Sequence, residues 1–281
     1  MALTSDMGAA GIPGGADETP SAPPGRPPRR VPMLALISPA KAMAADVDTL
    51  APASLPQFLP QAETLLAALR AMDPVSLRRL WQCSEAVAQV SLRQLEAADL
   101  RRRLTPAVLA YRGIQYQYMA PGVMEAGQLA CLQERLRILS GLYGVLRPFD
   151  GVTPYRLEMQ ARLAVGGCRN LYEFWGGRLA DALAAETDCL LDLASEEYSR
   201  AVRPHLPPSV RWVRCVFGER RDGRIVEKGT LCKMARGRMV RFLADRGAEA
   251  PEDLRGFCEL GYRYESSLSS ETRLVFCKGG T

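Results

Sequence analysis

A mixed α+β fold, an irregular α/β arrangement, is the architecture this sequence predicts. Three observations carry it. Apolar runs occur that are long enough only for buried strands, other segments repeat apolar residues every three or four positions, and the two kinds interleave without a regular βαβ rhythm. At 281 residues, 47% hydrophobic and 24% charged, the chain is long enough to bury a core. No internal repeat or interior linker divides it. One domain over residues 32–281 is therefore expected. It follows a disordered tail at 1–31, whose Gly, Pro, Ala and Ser residues cannot bury enough surface to offset the entropy of ordering.

The elements follow in order. Met33 to Ile37 is a buried strand, ended at Ser38-Pro39-Ala40-Lys41, where proline stops the ladder. Leu65, Leu66, Leu69 and Met72, then Leu77, Leu80, Trp81 and Val87, recur at helical spacing. Thr105 before Pro106 reads as a helix cap followed by proline in the first turn, and Glu125 to Leu139 as a further amphipathic helix. Tyr155 to Met159 is read as a short strand. Asn170 caps a helix carrying Leu171, Phe174, Trp175 and Leu179. Cys189 to Leu193 is a second buried strand that runs into Ser195-Glu196-Glu197-Tyr198. Arg211–Phe217 and Arg224–Glu227 flank Asp222-Gly223, a hairpin signal. A helix from about Leu231 to Asp245 and a last strand from Arg273 to Cys277 complete the chain.

Composition narrows the function. The eight cysteines form no CxxC pair and the single histidine, His205, sits in a proline-rich loop, so neither a metal site nor a cofactor is expected. The same isolation of His205 argues against a Ser-His-Asp nucleophile at Ser195. No stretch approaches the roughly 18 apolar residues of a membrane span. The first residues lack the basic start and apolar run of a signal peptide, so a cytoplasmic location without a membrane partner is expected. The net charge is +5, yet between Arg200 and Arg246 there are 13 Lys/Arg against 4 Asp/Glu. Such an excess attracts phosphate-rich partners, or else simply solvates an arginine-rich surface.

Six short motifs lie in order along the chain. They are Leu36-Ile37-Ser38-Pro39-Ala40-Lys41, Leu139 to Pro148 (LSGLYGVLRP), Pro154 to Met159 (PYRLEM), Asn170 to Gly176 (NLYEFWG), Leu193 to Tyr198 (LASEEY), and Lys228-Gly229-Thr230 with Lys233-Met234-Ala235-Arg236-Gly237. Together they resemble the YaaA family of peroxide stress proteins over roughly residues 33 to 278. The resemblance implies an unusual α/β fold with a positively charged cleft and a helix-hairpin-helix element that binds double-stranded DNA. It also implies a role in peroxide tolerance, limiting iron-dependent oxidative damage to DNA.

The residues themselves supply part of that picture. Gly141 and Gly144, spaced as in a nucleic-acid hairpin, would let a phosphate approach the backbone, with Arg147 in reach; the alternative is a plain helix C-cap, which Pro148 favours. Lys41, leaving a strand, could neutralise a phosphate or serve as a nucleophile or base, or be a solvated lysine. Arg156 and Glu158, two apart on a strand, would share a face as an ion pair. Asp192, Ser195 and Glu197 stand where α/β enzymes put catalytic groups, and where Ser and Glu also serve as ordinary helix-start residues. Lys233 and Arg236 share a helix face with Lys228 just outside, and Gly237 inside that helix calls for a close backbone or ligand. Two functions follow. One is DNA binding through Gly141, Gly144 and Arg147 beside a cleft of Lys41, Arg156, Lys228, Lys233 and Arg236. The other is an enzyme acting on a nucleotide or other phosphorylated small molecule, with Lys41, Glu158, Asp192, Ser195 and Glu197 as candidate catalytic groups.

Overall fold

The structure, a computed structural model, describes residues 1–2, 31–46, 49–221 and 224–279. Its centre is a strand pattern that only a fully covered sheet accommodates. Leu34–Ile37 (β1) is buried at every position, as are Leu136–Ser140 (β2) and Gly144–Leu146 (β3), while Cys189–Leu193 (β4) is buried except at its first residue. Near-continuous burial, with Arg137, Ser140 and Asp192 the polar exceptions in these four strands, is what a sheet covered on both faces requires. Arg211–Arg221 (β5), Arg224–Val226 (β6), Tyr262–Tyr264 (β7) and Arg273–Lys278 (β8) extend the sheet in the order β7-β8-β5-β4-β1-β2-β3, with β6 paired to β5. Strands β2, β1, β4, β5 and β8 run parallel, and β3, β6 and β7 are antiparallel to their neighbours.

Helices cover this sheet. Leu59–Arg70 (α1), Pro74–Trp81 (α2) and Glu85–Ala97 (α3) bury the apolar stripe seen in the sequence, including Leu65, Leu66, Leu69, Leu77 and Trp81. Asp73 caps α2 by accepting from the N–H groups of Val75 and Ser76. Ile114–Met119 (α4) and Ala126–Arg135 (α5) follow, and Leu171–Trp175 (α6) starts at Asn170, whose side chain accepts from Glu173 N–H as expected. Arg178–Glu186 (α7) is a separate helix, and it carries Leu179. Gly229–Arg246 (α8) is the longest helix.

Gly237 shows why α8 can lie where it does. A Cβ added there would come within 2.2 Å of the Gln115 carbonyl and 3.0 Å of Met119 N. The glycine thus lets α8 press against the backbone of α4, the close approach that a mid-helix glycine implies.

Several expectations are corrected. Leu139 to Gly144 does not join two helices: β2 and β3 pair antiparallel as Ser140↔Gly144, so the turn is a β-hairpin and the helix-hairpin-helix reading fails at this place. Residues 141–146 are buried, Trp175 Nε1 donates to Gly141 O at 3.1 Å, and Gly144 takes φ +73° against Trp175 and Leu179. The expected helix to Leu139 ends at Arg135 because Leu136, Ile138 and Leu139 complete the sheet beside β1. Thr105 and Pro106 pair with Val152 and Gly151, and a single helical turn, Ala107–Ala110, follows directly; Thr105 does not cap it, since its Oγ1 accepts from Asp46 N–H and Pro106 holds the cap position. Residues 155–158 join no ladder and Met159 begins a turn, so the expected short strand does not form. Residues 3–30 of the expected tail lie outside the described residues. Val31 is buried, with its N–H donating to Glu186 O, so this residue of the expected tail is packed on the domain.

Candidate functional site

Strand β1 leads onward to β2 on one side of it, and β4 leads to β5 on the other. Two adjacent parallel strands whose outgoing chains diverge leave a crevice at their carboxyl ends, the place where open α/β sheets bind ligands. Here the crevice is bridged by Ser38, which follows β1, and Ser195, which follows β4. Ser38 Oγ accepts from Ser195 N–H at 2.8 Å and donates to Ser195 Oγ at 3.1 Å. Ser195 precedes a single helical turn, Glu196–Ser199, but its hydroxyl makes no cap.

Around this bridge lies a cleft of about 490 Å³. One wall is the β1 exit with Lys41, a second is α4 with Gln115 and Tyr116, and a third is the segment Tyr155 to Glu158. Lys233 and Arg236 reach it from α8, and Ser195, Glu197 and Tyr198 from the β4 exit. Its volume falls in the range of about 300–1,000 Å³ usual for small-molecule sites. Pro39, Ile114 and Leu157 add apolar surface.

The electrostatics are strongly cationic but not uniform. Five cations line the cleft (Lys41, Arg112, Arg156, Lys233 and Arg236) against two carboxylates, Glu158 and Glu197. Glu158 bridges two of the cations, with Oε2 2.7 Å from Lys41 Nζ and Oε1 3.3 Å from Arg156 Nη2. The Arg156–Glu158 pair is mostly buried, so it is not the exposed surface contact that is worth little. Burial raises the Glu197 carboxyl above the usual range, against the hydrogen bond it accepts from Gln160 N–H, with Glu158 adding repulsion. Asp192 stands one layer behind, 4% exposed; its Oδ1 accepts from Ala194 N–H and Ser199 Oγ–H. Burial pushes its pKa up to about 6, and the positive charges of Arg236 and Arg214 limit the rise.

Tyrosines close the floor. Tyr116 donates to the Ser38 carbonyl at 3.0 Å, and Tyr155 shares hydrogen bonds with Tyr111 and Ser140 at 2.9 and 2.7 Å. Burial holds Tyr155 at about 12, so it is a neutral hydroxyl near pH 7. Three cleft residues also carry buried N–H groups without an acceptor: Gln115 Nε2, Arg156 Nε and Arg236 Nε.

The fold thus gathers Lys41, Arg156, Glu158, Ser195, Glu197, Lys233 and Arg236 in one place, with Asp192 behind them. It does not bring Gly141, Gly144, Arg147 or Lys228 there. The two glycines are packed in the β2–β3 hairpin, and the N–H of Tyr143 within that turn is taken by Ser140 Oγ. Arg147 and Arg137 share Glu186 on a different concavity, and Lys228 pairs with Glu219 at 2.9 Å. Six polar cleft residues were not among the expected site residues: Ser38, Arg112, Gln115, Tyr116, Tyr155 and Tyr198. Ser38 lay within a quoted motif at a strand exit. Gly237 called for a close neighbour, but nothing local in the sequence named Gln115.

The family model described as peroxide stress protein YaaA matches residues 33–268. A UPF0246 protein of Lachnoclostridium phytofermentans is 45% identical over 247 residues, covering 88% of this chain and 97% of the relative. One from Pediococcus pentosaceus is 45% identical over 246 residues, with 88% and 98% covered, and one from Lactiplantibacillus plantarum is 46% identical over 244, with 87% and 98% covered.

Proposed function

The chain belongs to the peroxide stress protein YaaA family, and from that premise we propose that it acts in the peroxide response by binding double-stranded DNA through its basic cleft. In this reading it limits iron-dependent oxidative damage to that DNA, as the family resemblance implies. The observation that carries the proposal is the convergence of Lys41, Arg156, Lys233 and Arg236, from three separate parts of the chain, on one cleft. A concave surface lined by one sign of charge concentrates phosphate at its mouth.

The helix-hairpin-helix role finds a different candidate from Gly141 and Gly144. Helices α4 and α5 are joined through Pro121–Val123, where Gly122 is exposed with no atom within 4 Å of a built Cβ. Because α4 also lines the cleft, a duplex phosphate resting on this turn would lie near the cations.

A second reading, an enzyme acting on a nucleotide or other phosphorylated small molecule, is favoured by one observation. Glu158, Glu197, Ser38 and Ser195 share the cleft with the cations, and nonspecific backbone binding needs no such acid and hydroxyl groups.

Salt titration of duplex binding tests the first reading. Four phosphate contacts give a slope of about −3.6 in log K against log salt, at about −0.9 per contact. Lys233→Ala and Arg236→Ala should each reduce its magnitude by about 0.9, equally for unrelated sequences. Unchanged affinity in both variants would remove the cleft from DNA binding.

A further inference from the structure

We propose that the inside of the cleft is built for a terminal phosphomonoester, a phosphate attached to one carbon oxygen only, while the internal phosphodiesters of a duplex meet the cations only from its mouth. The inference rests on the reading of the cleft as a phosphate site and names the ligand class that fits it.

Among the described residues, six buried side-chain N–H groups lack a hydrogen-bond partner, and three of those six belong to cleft residues. They are Gln115 Nε2 on α4, Arg156 Nε on the segment from Tyr155 to Glu158 and Arg236 Nε on α8. Leaving a buried donor unpaired costs about 1–3 kcal/mol, and folded proteins satisfy the great majority of such groups. Three on one cavity, from three elements, mark a site whose acceptors arrive with the ligand. Two of the three are guanidinium Nε–H groups: Arg236 can grip an oxyanion through Nε and a neighbouring Nη together, whereas Arg156 already gives Nη2 to Glu158 and offers Nε alone. Lys233, exposed at the cleft, adds a mobile positive charge.

The charge count points to a dianion. Glu158 is already matched by Lys41 and Arg156, which leaves Lys233, Arg236 and Arg112 against Glu197. A phosphomonoester carries about −1.5 to −2 near neutral pH and three acceptor oxygens, whereas an internal phosphodiester is a single negative charge. Size points the same way. A cavity of about 490 Å³ accepts a nucleotide-sized group, with Tyr116, Tyr155, Ile114 and Leu157 as walls for its non-phosphate part. A B-form duplex, whose major groove alone is about 12 Å across, cannot enter it and can only rest across its mouth. Such an ester has two sources: a free nucleoside monophosphate, or the phosphorylated end of a broken DNA strand.

The experiment uses the full chain and measures affinity for four probes: a blunt duplex with 5′-phosphate ends, the same duplex with 5′-hydroxyl ends, adenosine monophosphate, and adenosine. At least a tenfold preference for the phosphorylated member of either pair is expected. Preference within the duplex pair assigns the strand end, and preference within the nucleoside pair assigns the free nucleotide. Arg236→Lys, which keeps the charge, and Gln115→Ala should each reduce that preference at least fivefold, while thermal melting confirms that both variants fold. Should either variant fail to fold, the preference of the unaltered chain still decides the matter. Equal affinity within both pairs would overturn the inference. If the hydroxyl-ended duplex binds as tightly as the phosphorylated one and Lys233→Ala weakens both, DNA binding stands and the monoester site falls. Binding of adenosine monophosphate with no duplex binding gives the opposite result, in which the monoester site stands and the duplex reading falls.

Discussion

At the scale of the residue, Asp192 and Glu158 show two ways a carboxylate can serve a cationic cleft. Asp192 is buried with its pKa raised to about 6, above the 3.8 of a free aspartate. Such a group holds its proton more tightly when folded. Its contribution to stability is therefore present below about pH 4, is lost as pH rises through about 6, and stays constant above. The difference amounts to about 3 kcal/mol at 1.36 kcal/mol per pKa unit. Asp192→Asn preserves an Oδ1 that can accept from both Ala194 and Ser199, the bonds that the native Oδ1 accepts. The variant should be more stable than the native chain at pH 7.5, with the loss of stability between pH 4 and 7 flattened. Denaturant titrations across that range measure it, and an unchanged pH slope would refute it. Glu158, in contrast, neutralises Lys41 and Arg156. Glu158→Gln should tighten binding of any anion in the cleft severalfold, read in the same salt titration; weaker binding would show that the carboxylate contacts the ligand.

At the scale of the element, the contact between α8 and α4 holds two walls of the cleft together, and Gly237 sets their distance. Gly237→Ala gains up to about 1 kcal/mol of helix propensity but forces a methyl group into the Gln115 carbonyl, an overpacking that costs about 1–3 kcal/mol or more. Net destabilisation and weaker cleft binding are expected together. Gly122→Ala meets no atom within 4 Å, so melting should move little while duplex affinity falls if that turn receives a phosphate. Thermal melting beside duplex titration of the two variants separates these effects. The sequence made some elements plain and hid others for definite reasons. Buried strands announce themselves by apolar runs, unbroken in β1 and broken only at Asp192 in β4, and Asn170 by its capping chemistry. The segment Leu136 to Ser140 continues the helical spacing of Glu125 to Arg135, and only its place beside β1 makes it a strand. Gly141 and Gly144 likewise match a hairpin spacing that helices and strands both use. Of the cleft residues in the quoted motifs, Lys41, Arg156, Glu158, Ser195, Glu197, Lys233 and Arg236 were expected from the sequence and Ser38, Tyr155 and Tyr198 were not. Gln115 and Tyr116 lie in no motif and reach the cleft on α4, against which α8 packs.

At the scale of the molecule, six of the 13 cations between Arg200 and Arg246 are paired within the protein. Arg211 pairs with Glu252, Arg214 with Glu227, Arg221 and Lys228 with Glu219, Arg238 with Glu259 and Arg241 with Asp245. Lys233 and Arg236 are the members of that stretch that line the cleft. Removing a charge elsewhere should therefore matter little, because the Debye length is only about 8 Å at physiological salt. Arg147→Ala and Arg221→Gln should each leave ligand affinity within about twofold, whereas Arg236→Ala should not; equal losses in all three would favour long-range attraction over a defined site. The bridge from Ser38 to Ser195 has a further consequence, which belongs to the birth of the molecule. Its two ends stand 157 positions apart. A ribosome adding about 5–20 residues per second makes the second about 8–30 s after the first. Through that interval β1 exists without its β4 neighbour, and the cleft has only one lip. The newborn chain can bind nothing there until most of its length has emerged, so ligand capture itself reports that synthesis has passed β4 and that the sheet has closed around its first strand.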